Sequence, residues 1–202
     1  KKGMTIDSGM RSVLRQDPDI IMVGEIRDAE TAVMAIQASL TGHLVFSTLH
    51  TNDAASAVTR LLDLGIEPYL VSSSLAASLA QRLVRRLCEK CKQPDTEHNS
   101  ALPDPPESLL ADQGIELSDL SGIFKPVGCE ACRGTGFRGR IGLFELLLLD
   151  DACRDLVQTR GNASQLREAG LQAGMHLLAT DGLLKIHQGM TTLDEVMRVT
   201  TL

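Results

Sequence analysis

Aromatic side chains are nearly absent from this chain: its 202 residues include no Trp, one Tyr and four Phe. The core must be built from Leu, Ile, Val, Ala and Met, which suits helices and parallel strands better than an aromatic-rich sandwich. Bases would also find few rings to stack on, and no strongly basic block makes up for that. Residues 1–87 carry nine basic and nine acidic groups, residues 88–145 six and ten, and residues 146–202 five and seven, within a net charge of −6. Nucleic acid is therefore not an expected partner. No stretch approaches the roughly 18 apolar residues of a membrane helix. The longest uncharged run, from Pro68 up to Arg82, is interrupted by Ser72, Ser73 and Ser74. The chain reads as soluble, with no apolar signal segment. It starts at Lys1 and enters a helical pattern almost at once, as expected of a piece of a longer protein.

A phosphate-cradling loop of the form Gly-x-x-x-x-Gly-Lys-Ser/Thr is also missing from the sequence. Gly134-Thr-Gly136-Phe-Arg-Gly139 imitates its glycine spacing, but Arg140-Ile141 stand where Lys-Ser/Thr is required. That segment reads as a glycine-rich turn, and the chain by itself is not expected to bind ATP well.

What is present alternates strand and helix. Residues 5–16 read as a helix closed by Pro18, and Ile20-Ile-Met-Val23 as a strand buried on both faces, as in a parallel sheet. A helix is expected over Ala29–Leu40, a strand over Leu44–Leu49, and a helix capped by Asp53 running to Leu64. After Pro68 a longer helix is expected to run to Leu87. The fold class is thus α/β, with an expected division into residues 1–87, 88–145 and 146–202. The middle part contains Pro94, Pro103, Pro105 and Pro106, a loop-rich insertion with one short helix near Pro106–Gln113. Short helices follow Asp150, and Thr192-Leu-Asp-Glu195 has the form of a capping box.

Two features carry chemistry. Cys88-x-x-Cys91 and Cys129-x-x-Cys132 are two knuckles with 37 residues between them. A two-residue spacer turns both thiolates of a knuckle onto one metal, and two knuckles complete a closed tetrahedral sulfur site of the structural zinc kind. The intervening loop adds little closure entropy. Two disulfides, or unlinked thiols, are the alternatives. Cys153 reads as an ordinary half-buried thiol. The second feature is Glu25, directly after an apolar strand and Gly24, where open α/β sheets place ligands. A carboxylate there can hold magnesium or activate water, or simply pair with Arg27. Arg11 and Arg15, four apart on a helix face, form a fork suited to phosphate or to carboxylates such as Asp7 and Asp19. His43 and His50 bracket the second strand, beside Thr48, Thr51 and Asn52.

Taken together, Leu14-Arg-Gln-Asp-Pro18-Asp-Ile-Ile-Met-Val-Gly24-Glu25-Ile-Arg27-Asp28 resembles the signature of type II secretion and type IV pilus assembly ATPases. Thr41-Gly42-His43 through Ser47-Thr-Leu-His50-Thr-Asn-Asp53 is similar to that family's His box, and Gln81-Arg-Leu-Val-Arg85 followed by four cysteines resembles the secretion and pilus-extension branch. The resemblance implies a partial RecA-like P-loop ATPase domain, then a small tetracysteine zinc subdomain and a helical C-terminal subdomain. It implies a homo-hexameric motor using ATP, Mg2+ and Zn2+, cytoplasmic and peripheral at the bacterial inner membrane through platform and linker proteins. Glu25 would be the catalytic glutamate of the Walker B strand. Arg11, Arg15, Gly24, His43 and His50 would meet nucleotide, and Cys88, Cys91, Cys129 and Cys132 the metal. The Walker A loop and the N-terminal docking domain would lie before Lys1.

Overall fold

The computed structural model describes residues 9, 12–96, 102–116, 118, 120 and 122–200. In chain order the elements are β1 (Ile20–Val23), α1 (Ala29–Leu40), β2 (Leu44–Ser47), α2 (Ala54–Asp63), α3 (Pro68–Ser74) and β3 (Ala77–Leu87). Then come β4 (Gln93–Pro94), α4 (Glu107–Asp112), β5 (Phe124–Lys125), β6 (Phe137–Leu148), α5 (Asp151–Gln158), α6 (Ala163–Gln172), α7 (Leu178–His187) and α8 (Leu193–Val199). They form two compact units. One comprises Lys1–Ser78 with Leu147–Ala173, and the other Leu79–Leu146 with Gly174–Leu202.

In the first unit β1 and β2 pair in parallel, Ile20 opposite Leu44 through Val23 opposite Ser47. The α1 crossover between them starts on Asp28, whose carboxylate accepts the Thr31 N–H at 2.8 Å, and packs Ala35 and Ala38 against Ile21 and Val23. Asp53 caps α2 in the same way through the Ser56 N–H at 2.7 Å. Two expectations fail here. β1 is buried on one face only: Ile21 and Val23 are inside, but Ile20 is 60% and Met22 74% exposed. Among the described residues α1 covers one side of this pair of strands and nothing covers the other. The helix expected to continue to Leu87 instead ends at Ser74. There the Ser72, Ser73 and Ser74 hydroxyls donate back to the carbonyls of Tyr69 and Leu70, local bonds that compete with continued helix. Leu79, Leu83 and Leu87 at four-residue spacing imitate a helix face, whereas the real burial alternates along a strand.

In the second unit that strand, β3, pairs with the twelve-residue β6, and β4 pairs antiparallel with β5. β6 begins at Phe137, inside the glycine-rich segment. Helix α4 seats Leu109 and Leu110 on Leu184 of α7. The proline-rich insertion is further tied down where Pro103 C=O meets His187 Nε2 at 3.0 Å. At α8 the capping box is half formed: the Thr192 hydroxyl accepts the Glu195 N–H at 3.4 Å, but the Glu195 carboxylate turns instead to Arg85.

Candidate functional site

Glu25 lies two residues beyond β1, and Thr48 one residue beyond β2. Two bonds lock these strand ends together: the Thr48 hydroxyl donates to Gly24 C=O at 2.7 Å, and the Ile26 N–H donates to Thr48 C=O at 2.9 Å. Parallel pairing therefore delivers Glu25 and His50 to the same edge. His50 Nε2 stands 2.6 Å from Glu25 Oε1, a close ion-pair contact. Oε1 is otherwise buried and has no other polar partner among the described residues. Oε2 is held by Arg27, whose Nε donates at 2.8 Å and whose second nitrogen lies at 2.6 Å. The Arg27 hydrogen bond, reinforced by its charge and that of His50, holds the Glu25 carboxyl below the ordinary carboxylate range, against a smaller opposing push from burial. A carboxylate with one oxygen clamped by arginine and the other met only by an exposed histidine can orient a water molecule or meet a cation when that histidine swings away.

The remaining candidates are less close. His43 precedes β2 and so sits at the opposite end of that strand from His50; its Nδ1 reaches the Ala38 carbonyl at 3.0 Å and the Thr41 hydroxyl at 3.1 Å. That ties His43 to the end of α1. Arg15 is exposed in the turn before β1, and Arg11 lies outside the described residues. A side chain at Gly24 would meet nothing within 4 Å, so open space adjoins Glu25. Sequence reasoning treated Arg27 only as a neighbour for pairing and gave Thr48 no role. The signals for both were adjacency: an arginine two residues past the acid, and a hydroxyl directly after the paired strand.

In the second unit Cys88, Cys91, Cys129 and Cys132 bring four sulfurs within 4.8 Å of one another. All four are free thiols, so the disulfide alternative does not describe this structure. The first knuckle turns through Cys91 N–H to Cys88 C=O, and the second through Cys132 N–H to Cys129 C=O. Backbone N–H groups point at the sulfurs: Gly128 to Cys91 at 3.3 Å, and Cys129 and Gly136 to Cys132 at 3.1 and 3.2 Å. Burial opposes charge on Cys132, yet these donors outweigh it and bring the thiol down to about 6. Burial pushes Cys91 up to about 11. Gly128 and Gly136 have positive φ, and a Cβ on them would fall 2.6 Å from Gly134 O and 2.5 Å from Pro126 Cβ. Only glycine lets these amides approach the sulfurs. Four sulfurs in one sphere, with donors behind them, fit a tetrahedral metal such as zinc. Cys153 is fully buried, not half-buried, and burial together with the Asp150 carboxylate pushes its thiol up to about 11.

No helix among the described residues is long and apolar enough to cross a membrane. The chain is 50% identical over 200 residues to type II secretion system ATPase E of Vibrio cholerae, covering 98% of this chain and 37% of that protein. It is 48% identical to the type IV pilus assembly ATPase PilB of Thermus thermophilus, covering 96% of this chain and 21% of that protein. It thus spans well under half the length of these relatives. Among solved structures, the pilus retraction motor PilT with bound ADP superposes with a TM-score of 0.64 at 24% identity, covering 100% of this chain and 45% of that one. The Legionella pneumophila ATPase DotB gives 0.60 at 23%, covering 96% and 42%. These two establish likeness of fold, in keeping with the partial RecA-like reading. Residues 1–198 match the family described as type II/IV secretion system protein, and the chain belongs to that family.

Proposed function

We propose that this chain carries part of the catalytic site of a hexameric ATPase that powers type II protein secretion, through pseudopilus assembly, at the bacterial inner membrane. The observation that carries the reading is Glu25 at the shared strand edge, with Oε2 clamped by Arg27 and Oε1 met only by the exposed His50. The 50% identity to a secretion ATPase supports the secretion role. The 48% identity to a pilus assembly ATPase supports type IV pilus assembly as the second reading. The relatives are named ATPases; ATP with Mg2+ is the proposed substrate pair, and Glu25 suits the base that orients the attacking water. Arg11, Arg15, Gly24, His43 and His50 are proposed to contribute toward nucleotide, each within the part spanning residues 1–87.

In this reading residues 88–145 hold Zn2+ on Cys88, Cys91, Cys129 and Cys132, and residues 146–202 form a helical part. A closed four-sulfur site supplies folding energy and takes no part in hydrolysis. Platform and linker proteins of the secretion machinery are the proposed membrane partners, with the motor on the cytoplasmic side. With no Walker A loop in its sequence, the chain alone is expected to be inactive.

The test is Mg-ATP turnover of the full-length protein beside its Glu25→Gln variant. Loss of a general base typically lowers the rate by about 10²- to 10⁴-fold, and the variant should retain bound nucleotide. Undiminished hydrolysis in the variant would remove Glu25 from its proposed role.

A further inference from the structure

One distant side chain is tied to the segment that carries His50. That segment, His50-Thr51-Asn52-Asp53, lies between β2 and α2 and is anchored on both sides. Just before it, the Thr48 hydroxyl and carbonyl are bonded to Gly24 and Ile26. At its end, the Asp53 carboxylate accepts the Ser56 N–H at 2.7 Å, the Ser56 hydroxyl at 2.9 Å and the Arg167 guanidinium at 3.0 Å. Arg167 belongs to α6, 114 residues further along the chain. Residues Leu147–Ala173 share a compact unit with β1 and β2, and α6 packs against α2 there. The start of α6 is firm: Asn162 and Gln165 exchange side-chain-to-backbone bonds at 2.9 and 3.0 Å, and Leu166, next to Arg167, is fully buried.

We propose that Arg167 is a positioning residue: by holding Asp53 from α6, it fixes the segment that sets His50 beside Glu25. The proposal rests on the reading of Glu25 and His50 given above. Asp53 does not need Arg167 to cap α2, because the Ser56 N–H bond already does so. Nor does the pair add much stability, since its arginine is 40% exposed. What the pair adds is a fixed place for Asp53. His50 is 88% exposed, so packing of its own ring does little to keep it 2.6 Å from Glu25 Oε1. Its place is set through the backbone, by Thr48 on one side and Asp53 on the other. Misplacing a reacting group by about 1 Å can cost about 100-fold in rate, even when the change lies far from the chemistry.

Two measurements test this. In the full-length protein, Mg-ATP turnover is compared among Arg167→Gln, Arg167→Lys, Asp53→Asn, His50→Gln, and Arg167→Gln combined with His50→Gln. Asp53→Asn keeps a capping side chain and takes the place of Arg167→Gln if that variant fails to fold. Arg167→Gln and Asp53→Asn should each lose about 10- to 100-fold in rate, with melting within about 4 °C of wild type. Arg167→Lys should regain most of the rate, and adding Arg167→Gln to His50→Gln should cost nothing further. In the 202-residue chain, the His50 ring resonances, assigned by their absence in His50→Gln, should move in the same direction in Arg167→Gln as in Glu25→Gln. Wild-type turnover in both Arg167→Gln and Asp53→Asn, additive losses in the double variant, or unmoved His50 resonances would overturn the proposal. Undiminished turnover in Glu25→Gln, with His50 resonances that do move in Arg167→Gln, would overturn the ATPase reading of Glu25 and leave the link from Arg167 to His50 standing.

Discussion

The edge at Glu25 and the surroundings of Glu195 both place a carboxylate among basic side chains, and they do opposite things with it. Glu195 is 3% exposed and fully satisfied, by the Arg85 N–H and guanidinium at 2.8 Å each and by Arg198 at 3.0 Å. Glu25 is 20% exposed and its partners Arg27 and His50 are 76% and 88% exposed. A buried group with both oxygens hydrogen-bonded stabilises a single arrangement. A carboxylate held by two solvent-facing side chains that can swing aside is free to bind something else. The tetracysteine cluster resembles Glu195 in this comparison, since it too is supported from behind, by the backbone N–H groups of Gly128, Cys129 and Gly136.

The largest expected effect sharpens that contrast. Removing metal from the cysteines should forfeit a contribution of order 10 kcal/mol by analogy with structural zinc in small domains. Hydrogen exchange should then speed up first within residues 88–95 and 124–137, while β1 and β2 keep their protection. Identical exchange with and without chelator would show that the cluster does not staple this unit. Next comes Glu195→Gln, which should cost about 1–3 kcal/mol in denaturant unfolding, because the charged hydrogen bonds to Arg85 and Arg198 are weakened.

The same residue predicts a pH dependence. Burial alone would raise the Glu195 carboxyl, but hydrogen bonds from Arg85 and Arg198 outweigh it and hold the group at about 2, below its ordinary 4.5. A depressed carboxyl contributes stability that is present above the unfolded value and lost as pH falls toward the folded one. Stability should therefore decline between about pH 5 and pH 2, and the Glu195→Gln variant should flatten that slope. An unchanged slope would assign the decline to other carboxylates. The smallest effect belongs to the Glu25 edge: Thr48→Val, which removes the hydroxyl bond to Gly24 C=O, should lower stability by only about 1 kcal/mol. If turnover of the full-length protein stayed at the wild-type rate in this variant, the strand-end lock would be irrelevant to Glu25.

Local signals were legible in proportion to how local their causes are. Asp53 caps its helix as the sequence predicts, and Asp28 and Asp150 do the same directly before the expected helices, because a cap reaches only three residues ahead. The paired knuckles were legible for the same reason, since two-residue spacers dictate a turn. The stretch Ala77–Leu87 was not, because its leucines recur at helical spacing and its strand character depends on β6, some fifty residues away. Thr192 and Glu195 show the same limit within one motif. The near half forms as expected, while the Glu195 side chain is taken by Arg85, 110 residues distant in sequence.

What the sequence determined by itself was chemistry and order: α/β alternation, a carboxylate after an apolar strand, four cysteines in two knuckles, and no phosphate loop. Those properties follow from residue type and short spacing. Tertiary structure alone decided that His50 comes within 2.6 Å of Glu25, that the two knuckles bring their four sulfurs within 4.8 Å of one another, and that β1 buries one face. Each of these depends on which distant segments come to lie side by side, and the free energy of that pairing belongs to neither segment alone.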